Sequence, residues 1–482
     1  MKDRKVIENF IFNLVYQMTA LLLPIITTPY LSRKLGADGV GTYQYVYSIV
    51  SYFTMCCILG IENYGSRECA SVRDDNGKLI RKFKGIYTVQ LCASIVTIVA
   101  YAIFTAIYGN IRKLLICQFM FLPAYMLDVT WLYYGLEQFK KVVIRNMLIK
   151  LLTVVLIFIL VRDENCLLVY CLLMSGMALL SQLLLWPGVI RLLSGERTEE
   201  TEHYNIYSIV KRSIREHLKS IFALFFSIAC VNIYINIDKL MLGNMLDMSS
   251  VGIYTYSENL AKLPYGIVTA LTAVMLPRIS RLLADNDIAG GRRAASETMK
   301  VTMYIALPVC MGIAAIADTL IPWYYSREFL ICIPVTRMLI VIILLIAWSG
   351  VVTSQCLVPM KRDKELVYAS GIAVVVNVTA NLILIPVLGI YGAVAGTVLT
   401  ELVVTLYKTW CARSLLLLSD IFGQIWKYAL AAVVMAIAVW YIGEIMEAAT
   451  PVTTLVQIFI GALIYILCTA PLIIRKVRGN TL

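Results

Sequence analysis

Residues 221–281 read IFALFFSIACVNIYINIDKLMLGNMLDMSSVGIYTYSENLAKLPYGIVTALTAVMLPRISR. Two apolar runs flank a turn-rich break at Asn244–Ser250. Each run is long enough to cross a bilayer as a helix. Yet the first carries Asp238 and Lys239, and the second carries Glu258 and Lys262. A charge at the centre of a span costs roughly 2.5–3.5 kcal/mol on insertion scales, so such residues face a bundle interior or a wet cavity. Asn232, Asn236, Lys239 and Gly243 share one helical stripe, and Tyr254, Glu258, Lys262 and Tyr265 share another. The pattern reads as a transport protein with a polar, partly cationic cavity between helices.

The rest of the chain agrees. Of its 482 residues 60% are hydrophobic, and the mean hydropathy is +0.80, well above the soluble range. Apolar runs recur throughout, which leaves no room for a large soluble domain and defines an all-α integral membrane protein. The net charge of +12 fits basic residues gathered on one membrane face rather than a nucleic-acid surface. The 13 cysteines lie mostly inside apolar runs without a CxxC pair, and His203 and His217 sit in or beside a polar loop, so no metal site is expected. The N-terminal MKDRK runs directly into a span, as an uncleaved anchor does.

Fourteen spans are predicted, at 7–31, 40–60, 85–108, 112–134, 142–161, 166–190, 218–243, 251–276, 299–324, 332–357, 366–387, 390–411, 424–443 and 453–474. With the N-terminus inside, the inner segments hold 33 of the 42 lysines and arginines and the outer loops hold 6; Lys239, Lys262 and Arg337 remain in spans. That bias predicts both termini in the cytoplasm. The longest polar stretch, 194–217, divides the chain; its Ile206, Ile209, Val210 and Ile214 among basic residues fit either a helix lying on the inner membrane surface or a solvated linker. The halves repeat. Leu35-Gly36 precedes Val40-Gly41-Thr42-Tyr43-Gln44-Tyr45, and Leu242-Gly243 precedes Val251-Gly252-Ile253-Tyr254-Thr255-Tyr256, in the same direction along the chain. This is a parallel repeat.

Familiar catalytic devices are missing. Gly77-Lys78 lacks the rest of a P-loop, GxSxG and HExxH do not occur, and no cofactor motif is found. What remains is a scatter of intramembrane polar groups. Asn9, Asn13 and Gln17 form a stripe on the first span that suits either helix pairing or substrate contact. Asp128 stands among Trp131, Tyr133 and Tyr134, a structural acid or a partner for a basic neighbour. Glu258 and Lys262, four residues apart, can neutralise each other. Lys239 and Arg337 have the reach to snorkel. Arg33 and Lys34 place cations at the first outer turn.

Several stretches carry a family resemblance: TPYLSRKLGADGVGTYQYVYSIVSYF (28–53), DVTWLYYGLEQFKKVVIRN (128–146), IDKLMLG (237–243), VGIYTYSENLAKLPYGIVTALTAVMLPRIS (251–280) and LGIYGAVAGTVLTE (388–401). They resemble, in order, the Wzx-type polysaccharide flippases of the multidrug/oligosaccharidyl-lipid/polysaccharide exporter superfamily, and within them the teichoic-acid and capsule repeat-unit branch. The resemblance implies about fourteen helices, as two six-helix lobes in a V around a central cavity plus two peripheral helices. On this chain that means a lobe at 1–193, a cytoplasmic linker at 194–217, a lobe at 218–412 and two further helices at 413–482. It implies alternating access that carries an undecaprenyl-pyrophosphate-linked oligosaccharide between leaflets of a bacterial cytoplasmic membrane, without enzymatic chemistry or a cofactor. Expected partners are that substrate, membrane lipids and the glycosyltransferases or polymerase of the pathway; a monomer is expected. Cationic cavity residues of such proteins bind pyrophosphate, which points to Lys262 and Lys239, then Arg33, with Glu258 and Asp238 beside them. Asn13, Gln17, Asn232, Asn236, Tyr254 and Tyr265 would contact the glycan. The alternatives are a multidrug exporter of the same superfamily, which favours acidic cavity residues, and a polytopic glycan ligase or polymerase, which needs a large outer loop.

Overall fold

The computed structural model describes residues 2–109, 111–194 and 206–479, with side chains outside 2–18, 20–21, 206–210, 472–479 and a few positions between 223 and 273. The described residues form helices and connecting turns. Among the described residues eleven candidate spans are long and apolar enough to cross a membrane, so the chain is a multi-pass membrane protein. That number is below the expected fourteen. The first two predicted spans merge into one long helical stretch, and the two segments that carry the intramembrane charges are not among the eleven. The chain divides into two compact units, Met1–Asn236 and Ile237–Leu482.

The first unit starts with α1 (Lys2–Ile58), which kinks where the sequence places its first outer turn: Gly36 adopts φ 64°, ψ −177°. Three helices follow, α2 (Ile61–Ala70), α3 (Asn76–Ile107) and the short α4 (Arg112–Gln118). The predicted span at 112–134 is broken, continuing as α5 (Phe121–Met126) and α6 (Thr130–Gly135). A broken helix frees carbonyls that lipid cannot satisfy. Gln90 of α3 meets that demand: its Nε2 donates to the carbonyls of Tyr125 (3.0 Å) and Asp128 (2.9 Å), and its Oε1 accepts from Trp131 Nε1 (3.1 Å). Asp128, just ahead of the new start, accepts from the Thr130 amide two residues on (2.8 Å), an Asx-type turn that supports the break. Trp131 is fully buried against Phe83, and Gly65 makes room for it, since a Cβ there would lie 2.5 Å from the indole. Then come α7 (Phe139–Leu160), α8 (Leu167–Leu183) and α9 (Trp186–Ser194).

The 40-residue α10 (Ile206–Met245) passes from the first unit into the second. It ends at the predicted break, where Asp247 caps α11 (Met248–Lys262) by accepting from the Ser250 amide (2.7 Å). Gly243 itself stays helical, so the second Leu-Gly does not turn the chain as the first does. Pro264, with no N–H to give, ends α11 and precedes α12 (Tyr265–Ala284). The rest of the second unit is α13 (Ile288–Tyr324), α14 (Cys332–Leu339), α15 (Val341–Val351) running into a π-helical turn at Val352–Leu357, α16 (Asp363–Leu388), α17 (Ile390–Cys411), α18 (Leu418–Met446) and α19 (Pro451–Gly479). Between α16 and α17 the chain reverses on Gly389 (φ 59°, ψ −136°). Gly392 brings the two backbones together: a Cβ there would lie 2.2 Å from the Leu384 carbonyl oxygen. The sequence LGIYG predicts this reversal, because a left-handed residue and a close approach each call for glycine.

Candidate functional site

Two charged clusters of the second unit start from one adjacent pair of residues. Successive residues of a helix point about 100° apart. Asp238 and Lys239 on α10 therefore meet different neighbours.

Asp238 is 3% exposed and faces α11, α16 and α17. One oxygen accepts from the Nδ2 groups of Asn377 (2.9 Å) and Asn381 (2.5 Å). The other accepts from Tyr254 Oη (2.8 Å) and Thr397 Oγ1 (3.0 Å). Four donors from three helices replace the water that this carboxylate gives up, which is the condition for burying such a group. The glycine-based α16–α17 reversal delivers three of the four.

Lys239 points the other way. Its Nζ lies 3.1 Å from Glu258 Oε2, and Lys262 Nζ lies 2.6 Å from Glu258 Oε1. One carboxylate thus holds two ammonium groups. Glu258 (5% exposed) and Lys239 (8%) are buried, whereas the Lys262 side chain keeps about a third of its surface open. Snorkelling of Lys239 is not what the structure shows: Glu258, one helix away, supplies the countercharge in place of water. Lys262 stands in the last turn of α11, where the helix dipole favours a cation. In formal charge Asp238 and Glu258 balance Lys239 and Lys262, and the buried carboxyl of Glu401 is a further acid that acts on Lys262.

The remaining predicted residues fall elsewhere. Tyr265 opens α12 and is 36% exposed. Asn232 and Asn236 turn back on their own helix, each Nδ2 donating to the carbonyl four residues earlier (3.1 Å for both). Arg33 lies in the first unit, exposed, with Nη1 3.3 Å from the Pro29 carbonyl. The side chains of Asn9, Asn13 and Gln17 lie outside the described residues. Arg337 pairs with Asp318 and donates from Nε to the Ala314 carbonyl (3.0 Å), which gives it a local partner within the second unit. Sequence reasoning missed Asn377, Asn381 and Thr397, the donors around Asp238. The spacing of Asn377 and Asn381, one turn apart in an otherwise apolar span, is a signal that was available.

Two family profiles match the chain: "Polysaccharide biosynthesis protein" over residues 6–283, and "Lipid II flippase MurJ" over residues 201–461. A putative O-antigen transporter of Escherichia coli K12 is 22% identical over 286 residues, 59% of this chain and 67% of that protein. A second putative O-antigen transporter, from Shigella dysenteriae, is 20% identical over 80% of this chain and 94% of its own length. A probable low-salt glycan biosynthesis flippase of Haloferax volcanii is 22% identical over half of each chain. Among solved structures, the lipid II flippase MurJ in an inward closed conformation shares the fold, with a TM-score of 0.75 at 15% identity over 97% of this chain and all of that one. An inward-facing multidrug resistance MATE family transporter of the MOP superfamily follows at 0.60, with 16% identity over 85% of this chain and 95% of its own. With a profile match running from residue 6 to residue 283 of 482, the chain belongs to the polysaccharide biosynthesis protein family.

Proposed function

We propose that the chain is a flippase that moves an undecaprenyl-pyrophosphate-linked glycan repeat unit from the inner to the outer leaflet of a bacterial cytoplasmic membrane by alternating access. The observation that carries this reading is the Lys239–Glu258–Lys262 cluster within a multi-pass chain of this family. An ammonium–phosphate contact in a low-dielectric interior is stronger than in water. Lys262, the member of the cluster that keeps surface open, is the group assigned to the pyrophosphate. Lys239 stands behind it, and Arg33 is a further cation for the same headgroup. Tyr265, 36% exposed, is assigned to the glycan together with Asn13 and Gln17 of the first span; Tyr254 is fully buried and engaged by Asp238, and Asn232 and Asn236 bond their own helix, so they are not assigned to it, and the lipid tail stays in the bilayer. Both termini and the 194–217 segment face the cytoplasm, where the enzymes that build the repeat unit work. The names borne by the bacterial and archaeal relatives support the substrate class; the teichoic-acid or capsule branch rests on the sequence resemblance.

The test is export in cells whose own flippase is deleted. Supplying this chain should deliver the lipid-linked glycan to the outer leaflet, and an export-dead variant should leave it in the inner leaflet. Unchanged glycan export together with chain-dependent efflux of organic cations would establish the drug-exporter alternative instead.

A further inference from the structure

The segment from Lys211 to Phe226 on α10 has two faces. On one, Ser213 and His217 are buried, and Ile221, one turn further, is fully buried in the same aromatic and aliphatic cluster as Trp131. His217 Nδ1 lies 2.9 Å from Tyr64 Oη on α2. Gly85 of α3 leaves the space filled by the other ring nitrogen, since a Cβ there would lie 2.8 Å from His217 Nε2. Lys82 of α3 bridges Glu68 of α2 (3.1 Å) and Glu216 of α10 (3.3 Å). These contacts fix which face of the helix points inward.

The other face is therefore defined as well. Arg212, Arg215 and Lys219 are exposed, and no described carboxylate lies within ion-pair distance of any of them. The one acid between them, Glu216, is engaged by Lys82. Lys211, Arg212, Arg215 and Glu216 line a groove of about 520 Å³. Seven residues after Arg215 comes Phe222, and seven after Lys219 comes Phe226, 58% and 59% exposed. Seven residues are close to two helical turns, so each ring lies on the same line as its cation, about 10 Å further along the axis. Cations followed at that distance by exposed aromatic rings mark the boundary between lipid headgroups and hydrocarbon.

We propose that Arg212, Arg215 and Lys219 form a binding site for the phosphate headgroup of an anionic phospholipid, whose acyl chains lie along Phe222 and Phe226. Charge complementarity selects the occupant: three cations with no counterion among the described residues, at the end of a stripe of exposed aromatic rings. The site is independent of the substrate carried, and its test does not involve transport. Purified, delipidated full-length protein is titrated with phosphatidylglycerol and with phosphatidylcholine, and bound lipid is counted by native mass spectrometry. Replacing the cations one by one, through to Arg212→Gln with Arg215→Gln and Lys219→Gln, should weaken phosphatidylglycerol binding about fivefold per cation and leave phosphatidylcholine binding unchanged. Arg212→Lys with Arg215→Lys, which keeps the charge, should retain binding and shows that the segment is folded. Arg278→Gln with Arg281→Gln removes charge from a different exposed surface and should have no effect. Three results would overturn the site: undiminished binding by the triple variant, an equal loss in the Arg278/Arg281 variant, or displacement of the lipid by inorganic phosphate at matched concentration.

Discussion

Replacing Lys262 by alanine separates transport from folding, because Glu258 has a second partner. Without Lys262 the glutamate still holds Lys239 at 3.1 Å. The lost contact belongs to a lysine that is about one-third exposed, so its loss should cost the fold about 1 kcal/mol or less. Glu258→Ala is a different perturbation. It strands the buried Lys239, and breaking a buried pair on one side costs about 3–5 kcal/mol. The pair Lys262→Ala with Glu258→Ala strands Lys239 as well, so it is not a clean control. Lys239→Ala with Glu258→Ala removes both buried charges and should recover much of the loss.

Transport should follow the other residue. If Lys262 contacts the pyrophosphate, Lys262→Ala should reach the membrane at near wild-type level yet lose about tenfold to a hundredfold in export, the range expected for a hydrogen bond to a charged group. Lys262→Arg keeps the charge with altered geometry and should retain part of the activity. The assay is appearance of the lipid-linked glycan in the outer leaflet, normalised to the amount of each variant in the membrane. Wild-type export by Lys262→Ala at matched levels would refute the assignment and move the pyrophosphate contact to Lys239 and Arg33.

Four other outcomes are expected. Asp238→Ala removes an acceptor shared by four buried donors, of which Asn381, Thr397 and Tyr254 keep alternative partners in Asn377, the Ala393 carbonyl and Thr397, so it should cost about 1–3 kcal/mol and lower the amount of protein in the membrane, whereas Asp238→Asn, which can still accept there, should persist; immunoblots of membrane fractions decide it. Gly389→Ala forces a side chain into a left-handed backbone at about 1–3 kcal/mol, and Gly392→Ala collides with Leu384, so both should lower thermal stability while Gly371→Ala, which meets nothing within 4 Å, should not. For topology, cysteine at exposed Ser220 in a cysteine-free background should react with an impermeant thiol reagent only in inside-out vesicles; labelling in intact cells would reverse the proposed orientation. Burial holds the His217 imidazole below its usual range, a tendency that Lys82 reinforces and that Glu216 and Glu68 oppose; with Tyr64 and Arg67 these are the groups around it. A lowered histidine contributes stability above its unfolded value of about 6.5 and loses it below, so a Ser213→Cys thiol should become reactive as pH falls through that range, relative to the same thiol in a His217→Gln background.

The sequence displays most of what a helix does alone and little of what helices do together. The Leu-Gly reversal at 388–389, the break before Asp247 and the stop at Pro264 are legible because each depends on local backbone chemistry. So is the Glu258–Lys262 pair, set by the pitch of a single helix. The broken span at 112–134 is not, because what permits it is Gln90, a distant residue on another helix that satisfies the freed carbonyls. The site follows the same division. That Asp238 and Lys239 cannot share a face is evident from adjacency, but which helix each would meet is not. Three of the four donors to Asp238 lie more than 130 positions away, and Lys239 is bound by a glutamate on the next helix. Once both are placed, the sparse charge of this interior has a physical account. Every buried acid in the cluster is satisfied by protein donors or lysines, and the one cation left with open surface is Lys262. Under the proposed function, an anionic headgroup that approaches it would meet a cluster in which Lys262 exchanges its carboxylate partner for a phosphate, while Lys239 keeps the carboxylate from being left alone. That exchange needs two lysines on one glutamate; a simple ion pair at the same depth would have to expose an unpaired carboxylate each time the substrate bound.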